Sequence, residues 1–455
     1  MSLKPEIFRE YDIRGIVGQD LTPESVELLG KGIGTYIRRR DKKQVALGQD
    51  CRLSSPDFSA ALTRGLLSTG CDVLALGTVP TPLLYFCVYT KDQEAGVMIT
   101  GSHNPPEYNG FKIMLGHETL FGPDIQDIRQ IIEEGNFTSE PGSTRREYDI
   151  VPEYHRYVVE NVHLDRALKV VVDAGNGTGG EVAVPIFRDL GCDVVPLYCE
   201  MDGHFPHHHP DPTLPEALQD LIRAVKDTNA DLGIAYDGDG DRIGVIDDQG
   251  EIIWGDKLLI LLVRDILPRH PGAAIISEVK ASKHLYDEIE KLGGRPIMWK
   301  TGHSLIKKKI QEEKALLAGE MSGHIFFADR FFGFDDAIYS SARVLEILAR
   351  SPRKLSEWLS DLTQTFITPE IRIYASDEVK FQIVDRVRDA LAARYAIIDI
   401  DGVRAMFPRG WALVRASNTQ DALVLRFEAD TAEDLEAIKG EVDGIIEEAI
   451  KSLAS

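Results

Sequence analysis

The chain has 455 residues, 43% of them apolar and 27% charged. That is the make-up of an ordinary globular protein of about three domains, and it excludes a collagen, a low-complexity disordered chain and a disulfide miniprotein. Lys plus Arg number 51 and Asp plus Glu 73, a formal charge of −22, so nucleic acid and anionic membrane are repelled unless a local basic cluster overrides the field. An anionic substrate would need concentrated positive charge at its own site. The five cysteines, Cys51, Cys71, Cys87, Cys192 and Cys199, have no C-x-x-C spacing and fit the reduced thiols of a cytoplasmic protein. The start shows no signal-peptide pattern, and no apolar run approaches the roughly 18 residues of a membrane helix.

In chain order, one arrangement is read three times. A strand at 45–48, a helix from about 55, a strand at 72–77, a helix near 81 and a strand at 95–100 lead into Gly101-Ser102-His103-Asn104-Pro105. A strand at 168–173, a helix from about 178, a strand at 192–197, a helix near 215–224 and a strand at 231–236 lead into Asp237-Gly238-Asp239-Gly240-Asp241-Arg242. A strand at 273–277, a helix at 283–292, a strand at 295–299, a helix after 302–304 and a strand at 316–320 lead into Met321-Ser322-Gly323-His324. Alternating strands and helices predict βαβ units on a mixed or parallel sheet, whose ligands sit beyond the carboxyl ends of the strands. The tail differs. Strands at 371–374, 396–400, 411–415 and 422–428 with helices at 379–395 and from 432 predict an α+β domain.

Several loops suggest chemistry. Asp237, Asp239 and Asp241 alternate with glycine, so a tight turn can aim three hard oxygen ligands at one Mg²⁺ or Ca²⁺. The alternative is a solvated acidic turn. An EF-hand is excluded, because its sixth and twelfth positions would be Arg242 and Asp248 rather than glycine and glutamate. Ser102, in a turn directly after a strand, suits a nucleophile or a phosphate carrier, although a lone turn serine usually has only turn chemistry. Arg415-Ala416-Ser417-Asn418-Thr419 can form either a phosphate cradle or a polar turn. Gly175-Asn176-Gly177-Thr178-Gly179-Gly180, with Glu200 about twenty residues on, meets the dinucleotide fingerprint and supports an NAD-dependent oxidoreductase as a rival. His204, His207, His208 and His209 could ligate zinc, but neighbours in a Pro-rich loop rarely converge on one ion.

Taken together, Glu10-Tyr11-Asp12-Ile13-Arg14-Gly15, Thr100-Gly101-Ser102-His103-Asn104-Pro105, Asp237 to Arg242, Gly319-Glu320-Met321-Ser322-Gly323-His324 and Arg415 to Thr419 resemble the α-D-phosphohexomutase family, within it the phosphomannomutase/phosphoglucomutase enzymes. The resemblance spans nearly the whole chain. It implies three related mixed α/β domains and a smaller C-terminal α+β domain around a central cleft. These would be a phosphoserine-loop domain at 1–148, a metal-binding domain at 149–250, a sugar-recognition domain at 251–366 and a phosphate-binding domain at 367–455. It also makes the glycine fingerprint a structural turn.

By that resemblance Ser102 is a phosphoserine that shares Mg²⁺ with Asp237, Asp239 and Asp241. Lys112, His303, Arg14 and His103 take catalytic acid/base or electrostatic roles, and Arg242 an electrostatic one. Glu320, Ser322 and His324 bind the sugar. Arg415, Ser417, Asn418, Thr419, Lys280 and Tyr11 hold the non-reacting phosphate. A phosphoserine and three aspartates carry about −5, which Mg²⁺ reduces to about −3. Arg14, Lys112, Arg242, Lys280 and Arg415 could offset this charge and the substrate's own.

The implied reaction interconverts hexose 1-phosphate and hexose 6-phosphate, with mannose or glucose as the hexose. It passes through a hexose 1,6-bisphosphate that also primes dephosphorylated enzyme. Partners are then small sugar phosphates, not nucleic acid or membrane. Glu320-Met321-Ser322 looks like the dual-specificity mutases, and a phosphoglucosamine mutase is the alternative within the family. A non-catalytic sugar-phosphate sensor would have lost the serine or the aspartates, and both are present.

Overall fold

Four β-sheets follow one another along the chain in the computed structural model, which describes residues 3–140, 143–417 and 421–454. The first three share one order. Gln44–Gln49 lies between parallel neighbours Asp72–Thr78 and Ala95–Ile99, and Tyr108–Leu115 runs antiparallel beside the latter. Lys169–Asp173 lies between Asp193–Leu197 and Leu232–Tyr236, with Ile243–Asp247 antiparallel. Ala274–Glu278 lies between Arg295–Trp299 and Leu317–Gly319, with Ile325–Phe327 antiparallel. Each copy therefore closes with a hairpin, and each chemistry-bearing loop is the hairpin connection at the carboxyl end of the third strand.

Helices cover these sheets, so strands such as Ala95–Ile99, Leu232–Tyr236 and Ala274–Glu278 are buried at every position. That is why they read as continuous apolar runs rather than alternating ones. The helix Ala337–Ala349 is likewise buried at every position, Arg343 and Glu346 included, which pair with each other at 3.3 Å. The helix expected at 215–224 lies at Gln219–Thr228. Asp211 holds the preceding segment as a turn, accepting from Thr213 N at 3.0 Å and Thr213 Oγ1 at 2.6 Å. Among the described residues no helix is long and apolar enough to cross a membrane.

The glycine fingerprint is a packing device. A Cβ on Gly177 would stand 2.7 Å from the carbonyl oxygen of Gly238, and one on Gly180 would stand 2.7 Å from Cys199 Cα. Thr178 N donates to that same Gly238 oxygen at 3.1 Å. Protein backbone from the aspartate loop thus lies where a dinucleotide would have to approach, and the oxidoreductase alternative falls. The histidines have separate partners. His204 Nδ1 meets Asp202 at 2.8 Å, His207 Nδ1 meets Asn176 Oδ1 at 2.7 Å, and His208 Nε2 meets both oxygens of Asp173 at 3.1 Å.

The fourth sheet is antiparallel through Ala396–Ile398, Val403–Phe407, Gly410–Ala416 and Ala422–Ala429. It is backed by the helices Lys380–Ala392 and Ala432–Ala454. It docks on the third domain through buried arginines. Arg404, stacked 3.7 Å over the Trp411 ring, donates Nη1 to the carbonyls of Val279 (2.6 Å) and Ala281 (2.8 Å). Arg426 Nη1 donates to the carbonyl of Lys280 between them at 2.9 Å. Lys280 itself reaches Glu370 Oε2 at 3.2 Å.

Arg404→Ala strands two buried carbonyls, at about 1–3 kcal/mol each, and should lower the Tm by roughly 2–6 °C in calorimetry. Glu370 has a second signature. Burial pushes its carboxyl up, but Lys280 and Arg372 pull it down to about 2. A depressed carboxyl contributes stability that is present above its unfolded value of about 4.3 and is lost as pH falls toward 2. Glu370→Gln should therefore lower the Tm at pH 7 to 8, flatten the acid limb of a Tm-versus-pH curve below about pH 4, and converge on the wild type as pH falls toward 2. A limb as steep as the wild type's would remove this pair from the account.

Candidate active site

Ser102 sits at the first hairpin, 2% exposed and with φ +49. A left-handed serine is a strained backbone position that persists only where its surroundings fix it. Arg52, 1% exposed, does so. Its Nη2 donates to the carbonyls of Ser102 (2.8 Å) and Asn104 (2.6 Å), and its Nη1 to those of Pro105 (2.6 Å) and Tyr108 (3.0 Å). Asp50 pairs with Arg52 Nε at 3.1 Å and accepts from Gly101 N at 3.1 Å. Neither residue stands out in sequence. The only signal is that Asp50 and Arg52 follow a buried strand in the position the other functional loops occupy.

The second hairpin meets the first. Ser102 Oγ donates to Asp237 Oδ2 at 2.8 Å and lies 3.2 Å from His103 Nδ1. Gly238 is obligatory at this contact, since a Cβ there would stand 2.5 Å from the Ser102 carbonyl oxygen. Asp237, Asp239 and Asp241 are each 0% exposed and offer oxygens within 4.8 Å of one another. Lys112 Nζ lies between two of them, 2.7 Å from Asp239 Oδ2 and 2.5 Å from Asp241 Oδ2. Thr81 Oγ1 donates to Asp239 Oδ2 at 2.5 Å.

Burial works against all three charges. Lys112 still holds Asp239 and Asp241 below the usual carboxylate range, whereas burial and its two neighbours push Asp237 well up. Asp239 Oδ1 and Asp241 Oδ1 are buried with no hydrogen-bond partner. The trio is short of positive charge and has unused hard oxygens, and both features fit Mg²⁺ beside Ser102.

The third hairpin adds Glu320 and His324. Glu320 Oε1 accepts from Gly302 N at 2.7 Å, and Oε2 meets His324 Nδ1 at 3.0 Å. Ser322 Oγ lies 3.1 Å from the same nitrogen. His324 Nε2 faces Asp241 Oδ1 at 3.3 Å. Burial pulls the His324 imidazole down, but Asp241 and Glu320 raise it to about 9. His303, at the start of the helix His303–Glu313, is held well below its ordinary value by burial, then by Lys307, His324 and Lys112. One imidazole is thus cationic at neutral pH and the other neutral. Arg242 Nε lies 3.3 Å from His324 Nε2 and 4.0 Å from Asp237 Oδ2. Arg14 bonds Asp12 and Asn104, which ties it to the serine loop.

Lys280, Arg415 and Tyr11 form a second cluster. Lys280 Nζ lies 3.4 Å from Glu278 Oε1, and Arg415 Nε donates to Asp401 Oδ2 at 3.0 Å. Thr301 joins these groups, donating N to Asp401 Oδ2 at 3.1 Å and Oγ1 to Glu278 Oε2 at 2.5 Å and accepting from Tyr11 OH at 2.8 Å. Gly302, next in the chain, leads to Glu320. Ser417 N donates to the Ala422 carbonyl at 2.9 Å. Asn418 and Thr419 lie outside the described residues. A continuous path of contacts therefore joins Ser102 to Arg415 through all four sheets.

Comparison with known proteins agrees with this architecture. Residues 5–139, 152–250 and 254–366 match the phosphoglucomutase/phosphomannomutase alpha/beta/alpha domains I, II and III, and residues 370–445 match the family's C-terminal domain. A phosphomannomutase/phosphoglucomutase of Pseudomonas aeruginosa is 51% identical over 439 residues, covering 96% of this chain and 95% of that protein. A phosphoglucomutase of Neisseria meningitidis is 46% identical, covering 97% of each chain. The crystal structure of a phosphoglucomutase/phosphomannomutase family protein from Burkholderia thailandensis, 40% identical, superposes with a TM-score of 0.93 over 98% of both chains. Full-length similarity at these identities, on a chain whose loops meet in this way, makes the protein a member of the phosphoglucomutase/phosphomannomutase family.

Proposed function

We propose that this protein is a phosphomannomutase/phosphoglucomutase. It interconverts hexose 1-phosphate and hexose 6-phosphate through a phosphoserine and a hexose 1,6-bisphosphate, which also primes dephosphorylated enzyme. The observation that carries this reading is Ser102 Oγ, 2.8 Å from Asp237 in a buried three-carboxylate cluster, joined by contacts to a separate Lys280–Arg415 cluster. One end transfers a phosphoryl group, and the other holds a phosphate that does not react. We assign the serine loop to residues 1–148, the aspartate loop to 149–250, sugar recognition to 251–366 and the phosphate cradle to 367–455.

Phosphoryl transfer needs in-line positioning and charge stabilisation. Arg52 and Asp50 fix the serine loop, so Oγ keeps one direction. Asp237, Asp239 and Asp241 are the residues that would hold Mg²⁺, which when bound neutralises charge on the transferring group. Lys112, Arg242 and Arg14 supply the remaining positive charge, with His103 beside the serine oxygen. The sugar hydroxyl loses its proton as it takes the phosphoryl group, and neutral His303 and the Glu320–His324 pair are the groups suited to move it. Glu320 and Ser322 bind sugar hydroxyls. Lys280, Arg415, Ser417, Tyr11, Asn418 and Thr419 hold the far phosphate. The intermediate then turns end for end, and its other phosphate returns to Ser102.

A coupled assay with glucose 1-phosphate, Mg²⁺ and trace glucose 1,6-bisphosphate tests the activity directly. Ser102→Ala should lower kcat by at least about a thousandfold, as loss of a nucleophile does, and leave substrate affinity within about threefold because the cradle is separate. Wild-type turnover in that variant would end the carrier role.

Substrate choice gives a second test. Glucose and mannose differ only at C2. A site that does not read C2 closely discriminates by no more than about 10–200-fold. We expect glucose 1-phosphate and mannose 1-phosphate both to be good substrates and glucosamine 1-phosphate to be poor. Comparing kcat/KM at one bisphosphate concentration decides this, and a preference for glucosamine 1-phosphate would assign the alternative specificity.

A further inference from the structure

The three repeats share a buried feature beyond their hairpins. Each ends its central parallel strand on a carboxylate. Asp50 directly follows Gln44–Gln49, Asp173 closes Lys169–Asp173 and Glu278 closes Ala274–Glu278. They are 2%, 1% and 0% exposed. A carboxylate so buried is costly unless it is paired and hydrogen-bonded, and each of the three is.

The first and third copies use theirs alike. Asp50 accepts from the backbone N of Gly101, the residue before Ser102, and pairs with Arg52 two residues on, each at 3.1 Å. Glu278 Oε1 accepts from the backbone N of Met321, the residue before Ser322, at 2.8 Å, and lies 3.4 Å from Nζ of Lys280 two residues on. Its Oε2 accepts from Thr301 Oγ1 at 2.5 Å. Asp173 instead accepts from Gly175 N at 2.9 Å and meets His208 Nε2 at 3.1 Å. A fourth carboxylate against Asp237, Asp239 and Asp241 would add like charge, and that hairpin closes on itself, with the backbone N of Asp241 and of Arg242 donating to Asp237 Oδ1 at 3.1 Å.

We propose that Glu278 is a positioning residue that sets the Glu320–Ser322 loop and Lys280 relative to each other, so that the sugar and the far phosphate are read as one unit. The sugar and phosphate roles of those two sites rest on the mutase reading. Glu278 carries two loads. Its bond to Met321 N fixes the loop that presents Glu320 and Ser322, and its charge restrains Lys280. Removing the charge therefore acts in opposite directions at the two sites. The loop loses an anchor, whereas Lys280, which keeps Glu370, is freer to pair with a phosphate. A residue that only supported the fold would weaken both sites together.

The test compares calorimetric binding of glucose 6-phosphate and of inorganic phosphate to the full-length protein in Mg²⁺. In Glu278→Gln, phosphate should bind at least as tightly as in the wild type. The factor by which glucose 6-phosphate outbinds phosphate should fall at least about tenfold, as loss of a hydrogen bond to a charged group does. In the mutase assay kcat/KM should fall by a similar factor. Thr301→Val, which removes only the hydroxyl on Glu278 Oε2, should reduce the same binding factor by about threefold, and it carries the test should Glu278→Gln fail to fold. An unchanged factor in either variant, or equal weakening of both ligands, overturns the assignment. Wild-type turnover tests the mutase reading by itself, so the two failures are distinguishable.

Discussion

Asp237, Asp239 and Asp241 are all withdrawn from water and within reach of one another, and three like charges cannot stay there without cations. Burying one unpaired carboxylate costs several kcal/mol, and a neighbouring carboxylate adds repulsion. Lys112 meets part of that demand from the first domain. Arg242 and His324 meet another part from the second and third. The aspartate loop thus needs positive charge from three domains, and the same need aligns those domains with one another. Ser102 lies within this field because its own loop packs on Gly238 at a separation that admits no side chain.

One topological unit, used three times, explains how unlike chemistries arrive at one place. In each copy the third parallel strand is joined to an antiparallel fourth, so the connecting loop is a hairpin anchored at both ends by sheet hydrogen bonds. A crossover connection would leave more freedom. The copies differ in the strands added at their edges and in what the hairpin carries: a hydroxyl, three carboxylates, or a glutamate–histidine pair. The glycine turn at Gly177 serves the same end, as it lets the second domain's first loop pack against the aspartate hairpin.

The legible part of this molecule was the part written in local pattern. Buried strands followed by Gly- and Asp-rich loops gave the three-fold repeat and the positions of Ser102, Asp237, Glu320 and Arg415, and resemblance supplied their roles. The rest depends on contacts distant in sequence. Arg52 reaches loop carbonyls some fifty residues on, and nothing near it says that its guanidinium is buried. Arg404 falls outside every strand expected from sequence and Arg426 inside one, and nothing local to either says that it grips the backbone around Lys280. The helix Ala337–Ala349 lies outside the repeat that the sequence pattern marks, and its polar residues Ser340, Ser341, Arg343 and Glu346 are buried with the rest. The fingerprint at Gly175 to Gly180 meets every local criterion for a dinucleotide site, and the proximity of Gly238 and Cys199 bears out the structural turn that the resemblance implies.

The far cluster, like the transfer end, holds its cations against protein carboxylates, and under the proposed function that pairing bears on turnover. Lys280 is already paired with Glu278 and Glu370, and Arg415 with Asp401. A phosphate held there, as proposed above, would exchange ion pairs with protein carboxylates for ion pairs with itself, rather than meet bare cations. Its net gain is the difference between two favourable states, which is smaller than either alone. A cradle that held phosphate against no competitor would retain the bisphosphate too long for it to turn. Internal carboxylates that reclaim Lys280 and Arg415 would favour release of the phosphate, and the proposed cycle, which lets go of one end of its intermediate at each turn, requires that release.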